Sequence, residues 1–119
     1  LNILYNRISL QRQAQLLVCG LSDIPQAIND LKRLTEAYIA QNLNLMLKIS
    51  EERRGNSCDP SPREMESMIT ARNQTWAKKL PTLIETAPSF IAVGALHLPG
   101  EEGLINLLRA QGYQIEAVW

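Results

Sequence analysis

Apolar positions recur along much of the chain at intervals of three and four, the spacing that lines one face of an α-helix. From Ile24 the series runs through Ala27, Ile28, Leu31, Leu34, Tyr38 and Ile39. Asp23 stands before it as an N-cap, Pro25 falls in the first turn, and Gln26 comes three residues after the cap. These signals predict a helix from Asp23 to about Gln41. Upstream, Gln11 to Gln15 favours helix within Ile3 to Leu17, and Gly20 is expected to stop it. Leu43 to Ile49 predicts a brief helix that Glu51 to Arg54 continue as a solvated face. Gly-Asn-Ser-Cys-Asp-Pro, residues 55–60, reads as an exposed loop.

Ser61-Pro62-Arg63-Glu64 then combines a cap, a proline at the first helical position and the glutamate of a capping box. Its apolar stripe runs Met65, Met68, Ile69, Trp76, Leu80, Leu83 and Ile84. Pro81 is expected to kink or divide this helix, because its ring meets the carbonyl of Ala77. The last third changes character. Phe90 to Val93 is an unbroken apolar run, the pattern of a strand buried on both faces. Leu104, Ile105, Leu107 and Leu108 mark a helix ending at Gly112, and Tyr113 to Val118 reads as a second strand. The expected fold class is therefore α/β and α-rich. Helices fill residues 1–54, a loop covers 55–60, a kinked helix covers 61–88, and a parallel strand-helix-strand unit covers 89–119.

Composition narrows the function classes. The 119 residues are 45% hydrophobic, enough for one domain with a core that needs no staples. Twelve basic side chains balance twelve acidic ones, and both signs are spread evenly. Without a basic stripe to neutralise phosphates, nucleic acid is not an expected partner. The apolar runs fall far short of the roughly 20 residues that cross a bilayer. The chain starts at Leu1 with no charged and then apolar leader pattern, so it reads as an excerpt of a longer protein. Cys19 and Cys58 have neither zinc spacing nor Cys-x-x-Cys spacing. A disulfide and two separate buried thiols both fit them.

Candidate chemistry gathers between residues 94 and 103, which read Gly-Ala-Leu-His-Leu-Pro-Gly-Glu-Glu-Gly. In open α/β sheets this is where ligands bind, at the carboxyl end of a strand. His97 is the one imidazole of the chain and suits a metal ligand, a general base or a hydrogen-bonded structural residue. Glu101 and Glu102 are expected in the first turn of the next helix, where carboxylates complement the dipole without further function. Arg72 continues the apolar stripe of its helix, four residues before Trp76. A guanidinium there calls for a carboxylate, a backbone cage or an anionic ligand, unless it snorkels to the rim. Asn73 beside it either serves the same site or faces water. Trp76 reads as core packing and Trp119 as terminal packing.

These residues carry a family resemblance. Arg72-Asn73-Gln74-Thr75-Trp76, then Phe90 to Gly100, then Gly103-Leu104, Leu107-Leu108-Arg109 and Gly112-Tyr113 resemble the TraB/GumN family. Leu34 to Tyr38 resembles the family's middle region. Members carry two Gly-x-x-His motifs with arginine and glutamate positions, and the Tiki branch is associated with divalent-metal-dependent peptide cleavage. Gly94-Ala95-Leu96-His97 matches the second motif and Arg72-Asn73 the arginine block; no first motif exists here, because there is no second histidine. The resemblance thus implies the C-terminal portion of one larger domain, with the N-terminal half as its missing partner. In the full protein it implies His97 as a ligand for Mn, Co or Zn, Arg72 and Glu101 as catalytic candidates, and Asn73, Gly94 and Gly100 at the substrate. It implies no cofactor and no activity for this portion alone. The pheromone-shutdown branch implies the alternative, a non-catalytic peptide-binding module. Bacterial relatives suggest the periplasm or cell envelope, and a domain cut in half is expected to pair as a homodimer through its uncovered apolar face.

Overall fold

Helix starts fall where side chains can cap them. The computed structural model describes residues 8–118, so residues 1–7 and the packing expected of Trp119 lie outside the described residues. Helix α1 spans Leu10–Ser22, and Ser9 Oγ accepts from the Arg12 amide at 3.2 Å. Helix α2 spans Ile24–Ile39, capped by Asp23 on the Gln26 amide at 3.1 Å. Helix α3 spans Leu43–Glu51, capped by Asn42 on the Leu45 amide at 3.0 Å. Helix α4, Pro62–Met65, carries the complete capping box, with Ser61 and Glu64 each accepting from the other's backbone amide. Caps of this kind contribute about 1 kcal/mol each. Gly20 does not stop α1, which continues to Ser22; one interior glycine costs only about 1 kcal/mol.

Helix α4 runs through a π-helical turn, Glu66–Thr70, into α5, Ala71–Thr86. The Ala71 amide reaches back five residues to the Glu66 carbonyl. The extra residue rotates every following side chain by about 100° relative to the earlier stripe. The buried positions of α5 are consequently Asn73, Ala77 and Leu80. Helix α5 stays continuous through Pro81. The carbonyl that Pro81 cannot satisfy, Ala77 O, accepts from the Gln111 side-chain amide at 3.1 Å. A 3₁₀ turn at Ala95–His97 precedes the last helix, α6, Leu104–Ala110.

The strand-helix-strand unit does not form, and with it the α/β class is overturned. Among the described residues there is no strand, and every regular element is helical. A strand needs a neighbouring backbone for its ladder, and neither apolar segment has one among the described residues. Phe90 is 96% exposed and Ile91 is open as well, so the run is not buried on both faces. After Gly112 the Tyr113 amide folds back to the Leu108 carbonyl, and the Ile115 carbonyl is taken by the Arg109 guanidinium at 2.7 Å. Local partners thus occupy groups that a ladder would use.

Two small apolar clusters hold the chain together. Ala37, Met46 and Ile49 join α2 to α3, with Leu34, Leu43, Ala95 and Leu96 around them. Ala77, Leu80 and Leu104 join α5 to α6, with Trp76, Val93, Leu98, Leu107 and Leu108 around them. The molecule is elongated, 47 × 33 × 21 Å, with a radius of gyration of 16.2 Å against about 13.5 Å for a compact chain of this length. Its accessible surface is 9049 Å², where a compact protein of this mass has about 6,500 Å². Much of the excess is apolar: Leu17, Leu21, Ile28 and Leu31 on α1 and α2 are all exposed.

Candidate functional site: the imidazole pocket

Helix α5 and the segment leading to His97 flank an open pocket of about 630 Å³. Arg72, Trp76, Lys79 and Leu83 line it from the helix, and Ile91 to Gly94 and His97 from the opposite wall. The helix residues share one face because they lie three or four apart, beside the buried row of Asn73, Ala77 and Leu80. Arg72 lays its guanidinium over the Trp76 ring, 4.7 Å from the ring centre. The same indole meets the His97 ring at 4.8 Å with the planes tilted by 54°. A cation, an indole and an imidazole thus follow one another across a cavity whose other lining is apolar apart from Lys79. The cation–π contact keeps the arginine at the pocket, where it has no carboxylate partner among the described residues.

His97 is brought there by the 3₁₀ turn, whose first bond runs from the His97 amide to the Gly94 carbonyl at 2.9 Å. The residue is 7% exposed. Burial first, and the Arg72 cation second, push its pKa below the ordinary histidine value, so the ring is neutral at neutral pH. Its Nδ1 lies 2.7 Å from Asn73 Oδ1. Asn73 is fully buried, and its amide nitrogen donates to the carbonyls of His97, at 3.2 Å, and Glu102, at 2.7 Å.

The expected site residues therefore divide. Arg72, Gly94 and His97 come together at one pocket, with Asn73 behind the imidazole. Gly100 and Glu101 line a different groove, with Leu47 and Pro99. Gly100 takes a φ of +86°, and a Cβ there would stand 3.1 Å from the Leu47 side chain, so the turn and its approach to α3 account for the glycine. Glu101 is exposed, and its backbone carbonyl accepts from Asn106. Both glutamates stand in the turn before Leu104, not in the first turn of α6 as expected, because that helix starts later. Three further residues matter. Trp76 is a wall of the pocket as well as part of the core, and Lys79 adds a second cation, seven residues after Arg72 on the same face. Gly103 is buried and has no room for a Cβ, which would stand 2.2 Å from the Pro99 carbonyl oxygen. The i+4 and i+7 spacing from Arg72 was the available signal for the first two.

The donor set does not fit a divalent metal held by these residues alone. A catalytic zinc-type ion takes about three protein ligands. Among the described residues no group of three His, Cys, Asp or Glu side chains converges, and Cys19 and Cys58 are bonded to each other.

The fold and pocket define a helical domain with a histidine-bearing loop closed against a long helix. The chain belongs to the TraB/PrgY/gumN family, whose family model matches residues 1–117. No curated protein and no solved structure matches it.

Proposed function

We propose that this chain contributes a peptide-binding pocket to a domain of the TraB/PrgY/gumN family. The observation that supports it is the placement of Arg72 and Lys79 on the wall of an apolar cavity beside a neutral imidazole. Such a cavity suits an apolar side chain adjoining a negative charge, as at the carboxyl end of a peptide. Apolar walls shield the arginine in part from water and strengthen its attraction for a carboxylate. A second reading, peptide hydrolysis with Mn, Co or Zn, is favoured by one specific feature. His97 Nε2 has no protein partner among the described residues and is not sealed from solvent. The remaining ligands would come from outside those residues. The Cys19–Cys58 bond supports the periplasm or cell envelope as its setting, since disulfides persist in oxidising compartments.

Calorimetric titration with short peptides ending in Leu or Phe tests the binding. The expected result is saturable binding that weakens about tenfold or more in Arg72→Met and when the peptide carboxylate is amidated, as loss of a charge-assisted contact requires. Equal affinity for acid and amide peptides would sink it. Cleavage of the same peptides in the presence of Mn²⁺, Co²⁺ or Zn²⁺, lost in His97→Ala, would establish the hydrolytic reading instead.

A further inference from the structure

We infer that Asn73 is a positioning residue that holds His97 as its Nδ1–H tautomer and so presents the bare Nε2 lone pair to the pocket. The inference rests on the proposed function in one respect only, that the pocket is where a ligand meets the imidazole. The hydrogen-bond geometry decides the tautomer without reference to a ligand.

Two of the atoms around Asn73 have no choice of role. The carbonyl oxygens of His97 and Glu102 are acceptors, and both lie within bonding distance of one end of the Asn73 amide, at 3.2 and 2.7 Å. Only the NH₂ end can face two acceptors, so the orientation of this amide is fixed. Its oxygen then faces His97 Nδ1 at 2.7 Å. An amide oxygen carries no hydrogen, so the proton in that contact sits on Nδ1. Burial removes the escape route: Asn73 is 0% exposed, so water cannot take over any of its three bonds. In a neutral imidazole one nitrogen carries the proton and the other a lone pair, and the bond made by the first sets the role of the second. Nε2 is therefore an acceptor, able to take a proton or a hydrogen bond and unable to donate one.

The same amide does a second thing. It binds the backbone of the residue whose ring it orients, and it binds the far end of the turn at Glu102. Ring state and loop position are thereby tied to one side chain on α5. Turning the ring over would leave Asn73 Oδ1 facing carbon, and moving the loop would leave the buried NH₂ without partners. Either change strands a buried polar group.

A chain with one histidine permits a direct test. With ¹⁵N-labelled histidine, long-range ¹H–¹⁵N spectra of the folded protein report one ring, recorded at a pH where it is neutral. The expected pattern is a protonated Nδ1 and an unprotonated Nε2. The reverse pattern in the unaltered protein overturns the inference. Asn73→Leu removes the acceptor and is expected to shift the ring to predominantly Nε2–H, as in solvent; retention of Nδ1–H in that folded variant would show that Asn73 is not the lock. Asn73→Asp would set a carboxylate oxygen against the His97 and Glu102 carbonyls, so the spectrum of the unaltered protein decides the matter if the leucine variant does not fold. Adding the apolar carboxylate peptides to the same sample separates the two proposals. An Nδ1–H ring indifferent to peptide leaves the tautomer standing and removes peptide binding, whereas peptide-induced shifts on an Nε2–H ring do the opposite.

Discussion

Helix α1 and the loop around His97 are fastened to the molecule in opposite ways. No residue of α1 is buried, and Leu10, Leu17, Val18 and Leu21 all face outward. Its attachments are covalent or ionic and converge on residues 57–64. Cys19 is bonded to Cys58, and the Arg12 guanidinium donates to both Glu64 carboxylate oxygens and to the carbonyls of Ser57 and Asp59. Among the described residues, no charge pair holds the His97 loop down. It is closed by the cluster of Ala77, Leu80 and Leu104 and by the three bonds of Asn73. One element depends on a few strong points and the other on packing, so each has its own way of failing.

Breaking the disulfide is expected to have the largest effect. Cys58→Ser opens a closure of 39 residues, a loss of about 4 kcal/mol in the chain-entropy account. Hydrogen exchange should show α1 amides losing protection while the amides of Leu98 and Ile105 keep theirs. Equal losses in both regions would erase the contrast. Leu104→Ala should invert the pattern at slightly lower cost, about 3 kcal/mol by denaturant unfolding, because it opens a cavity in the cluster that closes the loop. Acid gives the smallest and most selective effect. The Arg12 guanidinium first, and the Ser61 amide second, hold the Glu64 carboxyl at about 2, below its usual 4.5. Its stabilisation is complete above 4.5 and is lost as the pH falls through that value toward 2. Helix α1 should therefore loosen across this window in the wild type, and Glu64→Gln should flatten the response.

What the sequence revealed follows the range of the interactions. Caps are decided within four residues, so Asp23, and Ser61 with Glu64, were legible from local chemistry alone. Pro81 announced a vacant carbonyl at Ala77 but not its occupant, because Gln111 is 34 positions away. The run Phe90 to Val93 misled because four apolar residues satisfy a buried strand, a buried helix segment or an irregular wall equally well. Only a partner strand separates these, and none lies among the described residues. At the site, Arg72 and His97 stood out by residue type. The role of Asn73 did not, since beside Arg72 it either serves the site or faces water, and only the π-helical turn that rotates it inward separates the two. Cys19 and Cys58 could be paired or separate on spacing alone; with Arg12 tied to Ser57, Asp59 and Glu64, their Cα atoms stand 5.6 Å apart and the sulfurs are bonded.

The proline inside α5 also works as a connector. A regular helix keeps its carbonyls to itself and offers a neighbour only side chains. By withholding one donor, Pro81 leaves a single main-chain acceptor at a fixed height on the helix, and Gln111 plugs into it. That contact indexes α6 along α5, since sliding by one residue in either direction would leave the plug without a socket. Pro81→Ala would restore the helical bond, release Gln111 and turn a keyed joint into a greasy one.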